Sequence, residues 1–600
     1  MQAIILAAGM GKRLKELTND ATKCMIKVNG VTLIERVLNQ LEKLYLSRII
    51  IVVGYKSDNL INFIKTLKIN TKIIYVNNDI YYKTNNIYSL YLAKDYLVED
   101  DTLLLESDLI FDSKLLDLLV KNEYPTLALV SKYESWMDGT VVTLDNDNGI
   151  KSFLGKKNFE FNDINKYFKT VNIYKFSCNF SKTHYIPFLE AYTKALGNNE
   201  YYEQVLKVIA LLDKPEIKAM PIDNLDWYEI DDIQDLNIAE SIFANSEEEK
   251  LFNIEKRYGG YWRYPHMLDY CYLVNPYYPP EKLKDEIKAS FNVLLESYPS
   301  GQNINSLLAS KYFQIKTENI AVGNGAAELI KALLESINGK IGITLPTFEE
   351  YPNRNSEIIP YIPDNMNFHY SASDLINYFG NTNISALIII NPDNPSGNYI
   401  NKSDIIALLE WTFSKNILII IDESFIDFAE GGESILSNDI LDKYSNLIVI
   451  KSISKSFGVP GIRLGIAAGG SCQIIKKLKK DVSIWNINSF AEFFLQIFEK
   501  YKDDYAYAIN EFIKSKKYFI NELEKIEYLR IIPTQANFVM CEILNNIKTR
   551  ELTKKLLSQY NILIKDLSLK NGINGEYVRL AIKKHEENNY LVNALKNILK

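Results

Sequence analysis

The chemistry-bearing residues fall into two groups. The first centres on Ser452-Ile453-Ser454-Lys455-Ser456, with Arg463 eight positions after the lysine in a loop punctuated by Gly458, Pro460, Gly461 and Gly465. An amine among small hydroxyls, with a guanidinium in a stiff loop nearby, suits a phosphorylated aldehyde. The amine forms an imine, while Ser452, Ser454 and Arg463 take the phosphate. Taken alone, S-x-S-K equally describes a solvated surface lysine; what precedes it gives it meaning. Gly323-Asn324-Gly325-Ala326-Ala327-Glu328 opens an apolar helix and offers backbone N–H groups to a phosphate. Phe348, after the apolar run 340–345, is placed to stack on a planar ring. The run 386–390 empties into Asn391-Pro392-Asp393-Asn394-Pro395-Ser396-Gly397, and the five aliphatics 417–421 end in Asp422. A carboxylate there pairs with a protonated ring nitrogen. Each element has a plain explanation as a turn, a core aromatic or a cap, but all six in this order do not arise by chance.

The second group lies near the N-terminus. The apolar run 3–8 ends in Gly9-Met10-Gly11-Lys12-Arg13-Leu14, where glycines let backbone approach a phosphate and the following helix adds free N–H groups. A second apolar strand, 102–105, ends in Glu106-Ser107-Asp108, at the strand end where open α/β sheets bind ligands. Asp226-Trp227-Tyr228-Glu229-Ile230-Asp231 supplies two more carboxylates; Glu229 and Asp231, two apart on extended backbone, share a face. Asp108, Glu229 and Asp231 together make a Mg2+ site with open positions, although either cluster alone reads equally as a solvated loop. Asn86 and Ser89, in Thr84-Asn85-Asn86-Ile87-Tyr88-Ser89-Leu90, either read a base edge or cap a helix. For an acceptor with an ammonium group, Tyr202 and Glu203 offer cation–π and charge pairing. Trp136, Asp138 and Lys151 are further candidates, the lysine toward a phosphate or phosphonate.

The string L-A-A-G-x-G-x-R-L from Leu6 to Leu14 resembles the signature of the sugar-phosphate and phosphocholine nucleotidyltransferases, whose fold is a doubly wound Rossmann-like α/β sheet. That family continues with a proline–lysine pair; here Thr22-Lys23 keeps the lysine and lacks the proline. The resemblance implies nucleotide contacts from Leu6, Ala8, Gly9, Gly11, Arg13, Asn86 and Ser89, with Lys23 stabilising charge at the attacked α-phosphate. T-N-N-x-x-S-L and W-x-E-I-D look like its cytidylyltransferase branch, which implies CTP. Residues 270–600 resemble fold-type I pyridoxal-phosphate (PLP) aminotransferases of class I/II, with a large α/β and a small α+β domain, near the histidinol-phosphate aminotransferase and threonine-phosphate decarboxylase branch. This implies Lys455 as the imine-forming lysine and proton carrier, Asp422 at the pyridine nitrogen, and Asn394 at the ring oxygen. Ala326, Ala327, Ser452, Ser454 and Arg463 would hold the phosphate, and Arg579 the substrate carboxylate. Tyr298 matches a residue that reaches the neighbouring subunit's phosphate, which implies a homodimer. Many relatives carry tyrosine where Phe425 stands; the decarboxylase branch tolerates phenylalanine there.

Six hundred residues, 47% hydrophobic and 24% charged, describe an ordinary globular protein of several domain-sized units. The net charge of -7 argues against a nucleic-acid coat. No apolar run reaches the roughly 18 residues that span a bilayer, and Met1-Gln2-Ala3-Ile4-Ile5-Leu6 reads as a strand, not a signal peptide. Five cysteines without a C-x-x-C pair disfavour disulfides and point to the cytoplasm. The expected division is a nucleotidyltransferase domain, 1–242, a polar linker, 243–264, and a PLP-dependent domain, 265–600. Such a chain resembles fusions of a phosphonate cytidylyltransferase with a 2-aminoethylphosphonate transaminase, which implies that the second domain aminates phosphonoacetaldehyde to 2-aminoethylphosphonate and the first, with Mg2+, transfers CMP from CTP to that product. The implied partners are CTP, a small amino-phosphonate or amino-phosphate, and an amino-acid donor, with no nucleic acid and no membrane. The alternative is a phosphocholine or phosphoethanolamine cytidylyltransferase fused to an aminotransferase-like or phosphoamino-acid decarboxylase domain.

Overall fold

The computed structural model describes residues 1–600 except 213–216, 223–224, 355–356 and 599–600; for residues 15 and 16 it describes the backbone alone. The chain divides into two compact units, Met1–Arg263 and Tyr264–Lys600.

The first unit is built on a nine-stranded sheet. Gln2–Ala7 lies at its centre, parallel to Ile49–Val53 on one side and Thr102–Glu106 on the other. Both faces of these strands are covered, so they read as unbroken apolar runs rather than alternating ones. Ala3, Ile5 and Ala7 enter one core, and Ile4 and Leu6 the other. Each fully buried aliphatic side chain contributes about 1.5–3 kcal/mol. The chain runs outward from Gln2–Ala7 through Ile49–Val53 to Ile73–Asn77, then returns to add Thr102–Glu106 on the opposite side. That reversal opens a crevice at the carboxyl ends of the two central strands. The antiparallel strand Phe168–Phe176 follows beyond Thr102–Glu106.

The stretch 243–264, expected as a linker, instead holds the helix Glu247–Glu255. Ser246 caps it by accepting from the Glu249 N–H, and Leu251 and Ile254 are buried. The polar run is thus the capped start of a helix, and the second unit begins at Tyr264, next to the expected position 265. The helix that follows the glycine loop is the 3-10 helix Lys12–Thr18. Its first turn closes from Leu14 N–H to Gly11 O, and Thr18 Oγ1 also donates to Gly11 O.

The second unit carries a seven-stranded sheet in the order Ile320–Asn324, Leu464–Gly469, Leu447–Ser452, Leu418–Asp422, Ala386–Ile390, Ile341–Thr344, Ile358–Tyr361. Leu464–Gly469 is antiparallel to both neighbours, and the remaining pairs are parallel. A second, antiparallel sheet joins Leu529–Ile531, Phe538–Ile543, Tyr577–Ala581 and Lys565–Asp566. The expected α/β class and the large-plus-small arrangement are what the chain forms. Among the described residues no helix is long and apolar enough to cross a membrane.

Candidate functional sites

The crevice of the first unit is a cleft of about 490 Å³, floored by Leu6 to Arg13. Gly11 sits at φ +60°, and a Cβ there would come within 3.1 Å of Lys23 Cβ, so glycine lets the loop close against that lysine. All the nucleotide-binding candidates line this cleft: Leu6, Ala8, Gly9, Gly11, Arg13, Lys23, Asn86 and Ser89.

The three carboxylates also converge there. Trp227–Glu229 pairs antiparallel with Leu109–Phe111 in a small ribbon, placing Glu229 opposite Leu109, and Ile230 N–H donates to Asp108 O. One ligand oxygen from each of Asp108, Glu229 and Asp231 lies within 4.8 Å of the others. Lys23 Nζ bridges the group, 2.5 Å from Asp108 Oδ2 and 2.7 Å from Asp231 Oδ1, and Arg13 Nη2 lies 2.7 Å from the same Asp231 oxygen. Asp108 Oδ1 is buried with no hydrogen-bond partner. An orphaned anionic oxygen beside two further carboxylates fits a divalent cation. Burial, opposed by Lys169 and reinforced by Asp108 and Asp231, pushes Glu229 up to about 7. Burial alone would lower Lys23, but Asp108 and Asp231 outweigh it and hold its ammonium charged.

The acceptor candidates are not brought together. Tyr202 is fully buried in a core cluster and Glu203 is 5% exposed; both begin the helix segment whose inner face packs on the sheet. Glu203 is spent on three hydroxyls, accepting from Thr140, Thr170 and Tyr174. Trp136 stacks on Tyr228 with ring centroids 4.0 Å apart. Asp138 stands 3.9 Å from Arg13 at the rim, and Lys151 is exposed on the strand Ile150–Leu154. None of the five lines the cleft, whereas the neighbouring Tyr201, Glu106, Asn78 and Tyr81 do. Asn86 is committed at both ends of its amide: Nδ2 donates to Glu106 Oε1 at 3.0 Å, and Oδ1 accepts from Tyr202 N–H at 2.9 Å. Ser89 accepts from Asn78. No local sequence signal marks Asn78; its cleft position follows from the strand Ile73–Asn77 that ends just before it.

The second unit's cavity is about 200 Å³ and lies at the ends of its parallel strands, lined by Ala326, Ala327, Phe348, Asn394, Asp422, Ser452, Lys455, Arg463 and Arg579 among others. Asp422 ends the strand Leu418–Asp422 with both oxygens held. Oδ2 accepts from the Tyr351 hydroxyl at 2.8 Å, and Oδ1 accepts from Ser424 N–H at 2.9 Å and from the Ser424 hydroxyl. Tyr351, deeply buried, escaped sequence reasoning because a tyrosine in a turn carries no pattern. Lys455 occupies the short helix Ile453–Ser456 after the strand Leu447–Ser452. Burial first, then Arg579 and Arg463, push its amine down to about 8. Arg579 donates to Asn394 Oδ1 and to Cys271 O, both at 2.7 Å, and its Nε is buried without a partner. Burial lowers it to about 10.

Gly325 caps the helix Ala326–Leu334 at φ +74°, and a Cβ there would sit 2.6 Å from Arg463 Nη2. Glycine therefore lets the guanidinium lie against the helix N-terminus. Lys455, Arg463 and Arg579 face a single cavity carboxylate, Asp422, and Arg463 makes no ion pair among the described residues. That excess of cations, the glycine cradle and the lowered lysine fit a dianionic phosphorylated aldehyde accompanied by a carboxylate substrate. Two expected contacts lie outside the lining. Ser454 is buried with its hydroxyl unpaired, and Tyr298, 79% exposed, stacks on Trp485. Phe425 presents a buried ring, edge-on to Phe538, at the position of the missing phenol.

Residues 3–147 match the MobA-like NTP transferase domain, and residues 269–595 match the class I and II aminotransferase model. Over 603 aligned residues the chain is 28% identical to the CMP-5'-(3-aminopropyl)phosphonate synthase of Streptomyces rubellomurinus, covering 100% of this chain and 95% of that one. It is 36% identical to the L-serine phosphate decarboxylase of Sulfurospirillum multivorans, covering 56% of this chain and 88% of the relative. Among solved structures, a decarboxylase from Sulfurospirillum multivorans superposes with TM-score 0.52 at 33% identity, over 57% of this chain and 91% of that one. The histidinol-phosphate aminotransferase of Clostridium acetobutylicum gives TM-score 0.50 at 30% identity, over 55% and 99%. With more than half of its length matching the aminotransferase model, and a lysine–carboxylate cavity on such a fold, this enzyme belongs to the class I and II aminotransferase family.

Proposed function

We propose that the chain is a bifunctional enzyme. Its first unit transfers CMP from CTP to a small aminoalkyl phosphonate or phosphate, and its second unit removes the α-carboxylate from an amino acid that carries a phosphoryl or phosphonyl group. The observation that carries this reading is the pair of intact centres, the carboxylate cluster at Asp108 and the amine–carboxylate pair of Lys455 and Asp422, on a chain alignable end to end with a CMP-aminopropylphosphonate synthase.

In the first unit an acceptor oxygen attacks the α-phosphorus of CTP, the α–β anhydride breaks and pyrophosphate leaves. Lys23 and Arg13 neutralise charge that grows on the phosphates. Asp108, Glu229 and Asp231 would hold Mg2+, which lowers repulsion between the phosphates and the incoming anion. Tyr201 and Glu106, on the cleft wall, replace Tyr202 and Glu203 as the aromatic and acidic groups facing an acceptor amine.

In the second unit PLP supplies the electron sink that accepts the pair released at Cα. Asp422 would hold its ring nitrogen protonated, Asn394 Nδ2 would face its ring oxygen, and Ala326, Ala327, Ser452 and Arg463 its phosphate. Arg579 clamps the substrate carboxylate until carbon dioxide leaves, and Lys455 then returns a proton to Cα. Decarboxylation is favoured over transamination of phosphonoacetaldehyde by the 36% identity to an L-serine phosphate decarboxylase and by Phe425. The exposed Tyr298 and Trp485 belong to a homodimer face, with Tyr298 completing the partner's phosphate site.

The test offers the holoenzyme phosphoserine and its phosphonate analogues and records carbon dioxide. Release without an added amino-group acceptor supports the reading. Amine transfer from glutamate or alanine to phosphonoacetaldehyde, with no carbon dioxide, would replace it with the transaminase.

A further inference from the structure

The strand Phe168–Phe176 carries a lysine at its second position that does not reach solvent: the Lys169 side chain is 2% exposed. A buried ammonium is stable only when paired. Lys169 Nζ lies 3.3 Å from Glu229 Oε2 and donates to Thr170 O at 2.6 Å, with Asn172 Oδ1 at 3.5 Å. Behind it stands Glu203, whose Oε1 accepts from Thr170 Oγ1 at 3.0 Å and from the Tyr174 hydroxyl at 2.9 Å, while Oε2 accepts from Thr140 Oγ1 at 3.1 Å. Three hydroxyl donors fix that carboxylate, and its charge bears on Lys169 together with those of Glu229 and Glu106. Gly139, at φ +94°, closes over the lysine, its would-be Cβ 3.6 Å from Lys169 Cε. The ammonium is therefore paired with the carboxylate at the cation cluster, while the charge of the pinned Glu203 acts on it from inside the fold.

We propose that Lys169 is a positioning residue for the metal centre: anchored on Thr170 O and Asn172 Oδ1, which the Thr170 hydroxyl ties to Glu203, it holds Glu229 in the orientation in which that side chain meets Asp108 and Asp231. The inference rests on the reading of those three carboxylates as a divalent-cation site. It gives Glu203 a task that neither nucleotide nor acceptor contact accounts for. Groups that orient metal-binding side chains from behind change metal affinity by roughly 10–100-fold when removed.

Removing the lysine alone leaves two buried carboxylates without their cation and costs folding stability. The charge-balanced K169M/E203Q, which loses one positive and one negative group, separates positioning from folding. Binding of Mn2+ to the full-length protein is measured by electron paramagnetic resonance without nucleotide, beside the thermal transition and the Mg2+ dependence of pyrophosphate release. The expected result is an Mn2+ dissociation constant about 10–100-fold higher than wild type, a thermal transition within a few degrees of it, and a release rate restored by raising Mg2+. Wild-type Mn2+ affinity in K169M/E203Q, or a lost rate that high Mg2+ does not restore, overturns the proposal. Failure of the wild-type protein to bind Mn2+ overturns the cation-site reading itself, and the proposal with it.

Discussion

Lys23 Nζ lies 2.5 Å from Asp108 Oδ2, joining the short 3-10 helix Lys23–Met25 to the segment just past the strand Thr102–Glu106, 85 positions from the lysine. The same ammonium reaches Asp231 at 2.7 Å. One cation thus ties together the two acidic segments that close the cleft.

Replacing Lys23 with methionine removes that charge while keeping most of the side-chain volume. Pyrophosphate release should fall about 10²–10³-fold, the range for losing one preorganised charge at a phosphoryl centre. The second unit's reaction should be unchanged. Steady-state rates of both activities on one preparation check this.

Tyr351 donates to Asp422 Oδ2, and that bond favours the charged carboxylate. Y351F leaves the oxygen buried and unpaired, so burial raises Asp422 further and weakens its hold on a protonated ring nitrogen. A lost hydrogen bond to a charged group is worth about 1.5–3 kcal/mol. A fall of about tenfold in kcat is expected, together with a shifted pH titration of the bound cofactor's absorbance. An unchanged titration would exclude this role.

Lys455 is held at about 8 by burial and by Arg579 and Arg463. The neutral amine is the form that attacks an aldehyde, and its fraction grows as pH rises. Incorporation of the cofactor into stripped protein should therefore accelerate with pH and reach half its maximum near 8. R579Q removes one of the two guanidinium charges that lower the amine, so the profile should move to higher pH. Stopped-flow absorbance across pH 6 to 10 reads both.

Arg579 is fixed by Asn394 and Cys271 with one nitrogen to spare. R579K keeps a charge but loses the planar fork, so kcat/KM should drop about tenfold or more. Cofactor absorbance should persist, because the phosphate is held elsewhere.

What the sequence made legible was set by strand ends. Asp108 and Asp422 stand at the ends of apolar runs and Lys455 stands among small hydroxyls, and all three line the cavities of their units. The glycine loops were legible because Gly11 and Gly325 meet steric demands that other residues do not. The cleft is lined by Tyr201, one residue away from the Tyr202 that the sequence pointed to. Tyr201 and Tyr202 are adjacent at a helix start, where one step turns a side chain from solvent to core. Aromatic and acidic character alone does not choose between Glu203 and Glu106. Trp136 was drawn away by stacking on Tyr228, and Tyr351 and Lys169 act through partners remote in sequence, which no local spacing encodes.

Two separate chemical centres on one chain require that D108A and K455A exchange their losses. Pyrophosphate release and the second unit's turnover are measured on each variant. D108A should abolish the first and spare the second, and K455A should do the reverse. Loss of both activities in either variant, with folding intact, would contradict that separation.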